Sequence, residues 1–268
     1  MPDYPLILEP SELEQHLHDD NLLIVDLCKR DLYPQYHIPG SVHLDYAKII
    51  RVNKPVMGCV PDAEDLIDIF SALGISADKH VVAYDDEGGG KACRFLWTLE
   101  LSGHDKVSLL NGGLFSWGNE GHPLSQEETT PVPARFDYHY NDSVLASADY
   151  IKQHLHDIQL LDARSLAEYN GHKAFAKKAG HIPGAVHYEW TDALDKSKNL
   201  RMLPTTEIKN TLAAKGLNQE DTVVVYCHSH HRSSLSFSVL RAAGFTQIKG
   251  YPGSWSEWGN LADTPVEV

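Results

Sequence analysis

The sequence has no C-x-x-C pair, no long apolar run and no excess of basic residues. Its four cysteines, Cys28, Cys59, Cys93 and Cys227, fall at no regular spacing. That argues against a disulfide framework and leaves free thiols in a reducing cytoplasm as the expectation. No uninterrupted apolar stretch approaches the roughly 20 residues a membrane span needs, so no membrane role is expected. The opening Met1-Pro2-Asp3-Tyr4-Pro5 lacks a basic region followed by an apolar one, and no secretory signal is expected. Lys and Arg number 23 against 37 Asp and Glu, a formal net charge of −14. This argues against a nucleic-acid surface. Gly88-Gly89-Gly90 lacks the Gly-Lys-Ser/Thr sequence of a phosphate loop.

What the chain does have is an internal repeat. Leu22-Leu23-Ile24-Val25-Asp26 returns as Ile158-Gln159-Leu160-Leu161-Asp162, and the His-Ile-Pro-Gly turn at His37 returns at His181. Val81-Val82-Ala83-Tyr84-Asp85 returns as Val223-Val224-Val225-Tyr226-Cys227, and Gly112 with Trp117-Gly118 returns as Gly253 with Trp258-Gly259. Four blocks recurring in the same order describe a duplicated domain. The expected domains are residues 1–124 and 141–268, joined by a linker over 125–140 that begins in the polar, Pro-containing stretch Ser125–Pro133. Short apolar runs alternate with helical patterns, including amphipathic helices over Ala63–Leu73 and Thr205–Ala214. The fold class is therefore α/β, each half a parallel sheet flanked by helices. The two His-Ile-Pro-Gly turns read as structural, fixing chain direction before a strand.

Val223 to Tyr226 form a short buried strand that carries Cys227 to its carboxyl end, and Ser233 to Ala243 form a helix closed by Gly244. A thiol placed there faces unpaired N–H groups and the positive end of a helix, so its anion is stabilised and its pKa falls. The loop from Cys227 to Arg232 can curl into a nest for a sulfur anion. Arg232 either pairs with a carboxylate beneath the loop or attracts an anionic donor. The competing reading is an inert core thiol. His228, His230 and His231 are either metal ligands or, the favoured reading, residues lining the entrance with no metal bound. Asp162 and Arg164 read as internal charge partners.

This arrangement resembles the tandem-domain rhodanese (sulfurtransferase) family over nearly the whole chain. The resemblance is carried by Asp162-Ala163-Arg164, the turn Gly180 to Ala185, the Val-Tyr-Cys strand, and Pro252-Gly253-Ser254-Trp255 with Trp258. It implies a non-catalytic first domain, with Asp85 in place of the cysteine, and a catalytic second domain. The loop Cys-His-Ser-His-His-Arg resembles a bacterial subgroup. It is neither the Cys-Arg-Lys-Gly-Val-Thr of the mitochondrial thiosulfate type nor the Cys-Gly-Ser-Gly-Val-Thr of the mercaptopyruvate type. Glu168 stands where the mitochondrial enzymes have a substrate-binding Arg, and His230 where many family loops have Gly.

The expectation is a ping-pong sulfurtransferase using a transient Cys227 persulfide and no cofactor. Its donor is thiosulfate, with mercaptopyruvate as the less favoured variant, and its acceptor is cyanide, a small thiol or a protein. His228, Ser229, His230, His231 and Arg232 are the candidate substrate-binding residues. Trp190 joins them either at the mouth of the site or only in the core. The protein is expected to act as a monomer. One rival is a phosphatase or arsenate-reductase-like enzyme, which needs Cys-x5-Arg, whereas here only four residues separate Cys227 from Arg232. The other is a non-catalytic sulfur carrier or sensor.

Overall fold

The computed structural model describes residues 4–268, which fold into two units. The first half of the chain runs β1 (Ile7–Leu8), α1 (Pro10–Gln15), β2 (Leu22–Asp26), β3 (Val42–His43), β4 (Arg51–Asn53), β5 (Val56–Cys59), α2 (Ala63–Ala72), β6 (His80–Tyr84), α3 (Gly90–Leu101), β7 (Val107–Leu110) and α4 (Gly113–Asn119). The second runs α5 (Ala148–His154), β8 (Gln159–Asp162), α6 (Leu166–Tyr169), β9 (Val186–His187), β10 (Leu194–Asp195), β11 (Arg201–Met202), α7 (Thr205–Ala214), β12 (Val223–Tyr226), α8 (Arg232–Ala242), β13 (Ile248–Gly250) and α9 (Ser254–Trp258).

Each half builds a parallel sheet covered by helices, as the alternating pattern predicts. The order is β1-β7-β6-β2-β3 in the first and β13-β12-β8-β9 in the second. A parallel bridge from Leu145 to Gly250 takes the place in the second that β1 holds in the first. The central strands are apolar without alternation because helices bury both faces. All four residues of β12 are buried.

The helix after β12 begins at Arg232, one residue earlier than its apolar pattern indicates, and its buried face includes Ser233, Ser234, Ser236 and Ser238. These small side chains bring hydroxyls to the active loop, Ser233 and Ser234 both bonding to His230. Ser147 caps α5 by accepting from the Tyr150 N–H, as its position before the helix predicts.

The His-Ile-Pro-Gly turns are structural. Tyr226 at the end of β12 accepts from the Ile182 N–H at 3.1 Å, and Tyr84 at the end of β6 does the same for Ile38. His181 stacks on Tyr169 with ring centroids 3.7 Å apart, and His37 on Tyr33 at 4.0 Å. Each turn is thus held between a strand-end hydroxyl and a stacked ring.

Neither unit is continuous in sequence. Of the described residues, one comprises those up to Ile49, with Pro61–Asn141 and Asp195–Met202; the other comprises Ile50–Val60, Asp142–Leu194 and Leu203–Val268. The antiparallel hairpin β4–β5 thus belongs to the unit holding Cys227, where the Met57 N–H donates to Ser256 Oγ at 2.9 Å. Residues 195–202 belong to the first unit, where the Met202 N–H donates to Asn111 Oδ1 at 2.7 Å. The residues after Pro133 lie along the first unit, with the Ala134 N–H on the Ser71 carbonyl and the Asn141 N–H on that of Leu101. Among the described residues no helix is long and apolar enough to cross a membrane.

Candidate active site

The loop between β12 and α8 is shaped by Ser254 at the start of α9. Ser254 Oγ accepts from the N–H of Cys227 at 3.2 Å and of His230 at 3.1 Å, and donates to the Tyr251 carbonyl at 2.7 Å. The carbonyls of Cys227 and His228 turn outward and accept from the N–H groups of Trp255 and Ser256. The amides of Ser229 and Ser233 turn inward onto the Cys227 sulfur, joined by the Ser233 hydroxyl. The sequence suggests successive inward N–H groups. The structure instead turns the Cys227 and His230 amides toward Ser254 and those of Ser229 and Ser233 toward sulfur.

This curl requires backbone that side chains rarely adopt. His230 sits at φ 56 and Ser254 at φ 49. A non-glycine residue in the left-handed region costs roughly 1–3 kcal/mol and persists only when its surroundings hold it. His230 is held from three sides: its N–H on Ser254, its Nδ1 2.8 Å from Ser233 Oγ, and its carbonyl accepting from Ser234 Oγ. Its side chain is fully buried. His230 therefore does not line an entrance, as its loop position suggests. The positive φ turns its ring inward, where it fixes the serine that faces the sulfur.

Cys227 is 1% exposed. Burial alone would raise the thiol pKa, but Arg232, the Ser233 hydroxyl and the Ser233 and Ser229 N–H groups outweigh it, and the net direction is down. Arg232 carries its own carboxylate partner: Nη1 and Nη2 donate to Glu168 at 2.7 and 2.9 Å. Burial pushes Glu168 up, yet Arg232 and Ser165 hold it down at about 2. Of the two roles open to Arg232 from sequence, the structure displays the carboxylate pairing. Its charge still bears on the thiol while its fork is occupied.

Beneath the loop, Arg164 is bound by Asp162 through Nε and Nη2, donates to the Gly180 carbonyl at 2.7 Å, and lies over the Trp255 ring at 4.3 Å. These are the internal charge partners the sequence suggests, tying strand, turn and α9 together. Trp190 opens a short 3-10 turn, half-buried, with its ring 6.3 Å from that of His231. His228 meets the edge of Phe175 with centroids 5.7 Å apart and lines a cavity of about 780 Å³. Among the described residues no cluster of His, Cys, Asp and Glu is arranged to hold a metal ion.

The counterpart loop in the first unit fills its own cup. The Asp85 carboxylate accepts from the N–H groups of Glu87, Gly89, Lys91 and Ala92 at 2.8 to 3.0 Å. A carboxylate thus occupies the place of the Cys227 sulfur, and no thiol remains there to act.

Sequence reasoning missed three contributors. Ser254 appears there only as part of a closing segment, and Glu168 only as a departure from the mitochondrial pattern. Gly58 carries no local signal at all, being near the loop only in three dimensions. A Cβ on Gly58 would lie 2.2 Å from the Ser229 carbonyl oxygen and 2.4 Å from that of Pro252. Both are backbone atoms, so the loop itself must move. Gly58→Ala is expected to lower stability by about 2 kcal/mol and to reduce turnover several-fold. Chemical denaturation and steady-state rates check this.

The rhodanese-like domain signature matches residues 9–120 and again 147–261. A thiosulfate sulfurtransferase of Azotobacter vinelandii is 41% identical over 98% of this chain and 97% of its own length. A sulfur carrier protein of Thermus thermophilus is 31% identical over 98% and 97%. The crystal structure of SseA from Escherichia coli, a 3-mercaptopyruvate sulfotransferase, superposes with a TM-score of 0.84 at 25% identity, covering 93% of this chain and 98% of that one. With one signature in each half and relatives of matching length, the chain belongs to the rhodanese-like family as two domains in tandem.

Proposed function

We propose that the protein is a thiosulfate sulfurtransferase whose nucleophile is Cys227. The observation that carries this reading is the buried thiol with lowered pKa, ringed by the Ser229 and Ser233 amides, the Ser233 hydroxyl and the Arg232 charge. The thiolate attacks the outer sulfur of thiosulfate. A bond forms between that sulfur and Cys227 Sγ, the S–S bond of the donor breaks, and its electron pair leaves on sulfite. The same donors then hold the persulfide until an acceptor, cyanide or a thiol, takes the outer sulfur and regenerates the thiolate.

Sulfur moves without net oxidation, so the cycle needs neither metal nor organic cofactor, and the loop and its neighbouring cavity lie in one chain, so it needs no second copy. A thiol that must be regenerated suits a reducing compartment such as the cytoplasm. Among the described residues all four cysteines are free of disulfides.

The 41% identity to a thiosulfate sulfurtransferase supports thiosulfate over mercaptopyruvate as donor. The likeness to a sulfur carrier protein supports a protein among the acceptors. The test is intact mass after exposure to thiosulfate or mercaptopyruvate, followed by cyanide. Gain of one sulfur atom from thiosulfate, its loss with cyanide, and its absence in Cys227→Ser are expected. No gain, or a gain that survives Cys227→Ser, rejects the assignment. Faster loading by mercaptopyruvate rejects the donor alone.

A further inference from the structure

The cavity beside the Cys227 loop lies within the second unit. Its wall includes Lys54, Pro55 and Met57 of the β4–β5 hairpin, Phe175 and Lys177 of the segment leading to Gly180, and His228. Its volume of about 780 Å³ suits a small organic molecule, since such pockets run roughly 300–1,000 Å³. Thiosulfate has no apolar surface and needs far less room.

The lining is selective in chemistry. No acidic side chain lines it, in a chain with 37 acidic residues against 23 basic ones. Lys54 and Lys177 make no ion pair among the described residues, and a further cation, Lys173, lies 4.9 Å from the ring centre of Phe175. Phe175 is 56% and Met57 37% exposed, so the groove offers apolar surface beside its lysines. His228 is one of the lining residues, and the next residue back along the chain is Cys227. Its Nδ1 is buried with no hydrogen-bond partner among the described residues. The charges bearing on its ring are Arg232, Glu168 and Arg164. Burial, with Arg232, holds it below the ordinary imidazole value, so it is neutral and able to take a proton.

We propose that this groove seats the sulfur acceptor, and that the acceptor is a small organic thiol bearing one or more carboxylates. The carboxylates meet Lys54 and Lys177, and the carbon body lies on Met57 and Phe175. The thiol points past His228 toward the Cys227 persulfide. The thiol proton passes to His228. The acceptor thiolate then attacks the outer sulfur, a new S–S bond forms, and the S–S bond to Cys227 breaks with its electron pair left on Sγ. His228 returns its proton to solvent. This rests on the reading of Cys227 as persulfide carrier.

The test separates the two. Wild type and Lys54→Glu/Lys177→Glu are first loaded with thiosulfate, and loading is read as gain of one sulfur atom in intact mass. Single-turnover discharge is then timed with mercaptosuccinate, mercaptoethanol and cysteamine, which are anionic, neutral and cationic thiols. The ratio of mercaptosuccinate to mercaptoethanol rates is expected to be about fivefold higher in wild type than in the variant, as two exposed charge pairs supply. The ratio with cysteamine shifts the opposite way. In wild type alone, raising salt is expected to erase the preference for the anion, which keeps the proposal testable should the variant fold poorly. Loading with rate ratios the same in both proteins, or unmoved by salt, overturns the acceptor groove. Failure to load overturns the reading of Cys227 instead.

Discussion

Cys227→Ser is expected to reduce thiosulfate-dependent turnover by roughly 10⁴-fold or more, the order seen when a covalent nucleophile is removed. Serine fits the same cup, and the two inward amides and the Ser233 hydroxyl remain available to its oxygen. The variant should therefore fold, and the loss is one of chemistry. Its stability relative to wild type carries a pH signature. The folded thiol titrates below its ordinary value of 9.0, so its ionisation contributes stability that is complete above about pH 9 and is lost as pH falls through the lowered folded value. Denaturation across that window should show wild type gaining on Cys227→Ser as pH rises. A flat difference would mean that the fold does not favour the anion.

The second large effect is at Arg232. Arg232→Met removes the charge that lowers the thiol pKa and strands Glu168, whose side chain is 4% exposed. Breaking a buried pair from one side costs about 3 kcal/mol or more, and the thiol pKa rises as its cationic neighbour disappears. Turnover near neutral pH should fall at least tenfold, with partial recovery as the pH is raised. Adding Glu168→Gln should restore most of the stability and none of the low thiol pKa, separating the structural role of the arginine from its electrostatic one. Recovery of both would place the control of the thiol elsewhere.

The Glu168 pair has a sign of its own. Its carboxyl is held at about 2, below its ordinary 4.5. The stability it contributes is complete above pH 4.5 and lost as pH falls toward 2. Wild type should therefore lose its advantage over Glu168→Gln in that acid window and nowhere else, as followed by thermal unfolding.

The parts of this molecule that were legible in its sequence are those written locally. Each central strand is a run of β-branched residues, each His-Ile-Pro-Gly turn is four adjacent residues, and Cys227 follows its strand directly. Four such blocks in one order reveal the duplication. The hairpin Arg51–Cys59 was not legible as part of the Cys227 unit, because its partners Ser229, Pro252 and Ser256 lie well over a hundred residues away. Strands of three and four residues also carry no period long enough to mark a face.

His230 misled for a related reason. A polar residue in a polar loop reads as exposed, and only the left-handed backbone, enforced by Ser254 and Ser234, buries its ring. Ser254 itself lies 27 residues past Cys227 on a different element, and nothing in its own neighbourhood announces that its hydroxyl anchors two amides of the loop.

Sulfur transfer through Cys227 requires an ionised sulfur at the floor of this loop. Titrating the ultraviolet thiolate absorbance of the resting enzyme, with Cys227→Ser as the blank, measures it directly. The expected result is a single-thiol transition with its midpoint below 9.0 that moves upward in Arg232→Met. A midpoint at or above 9.0, or one indifferent to Arg232, would contradict it.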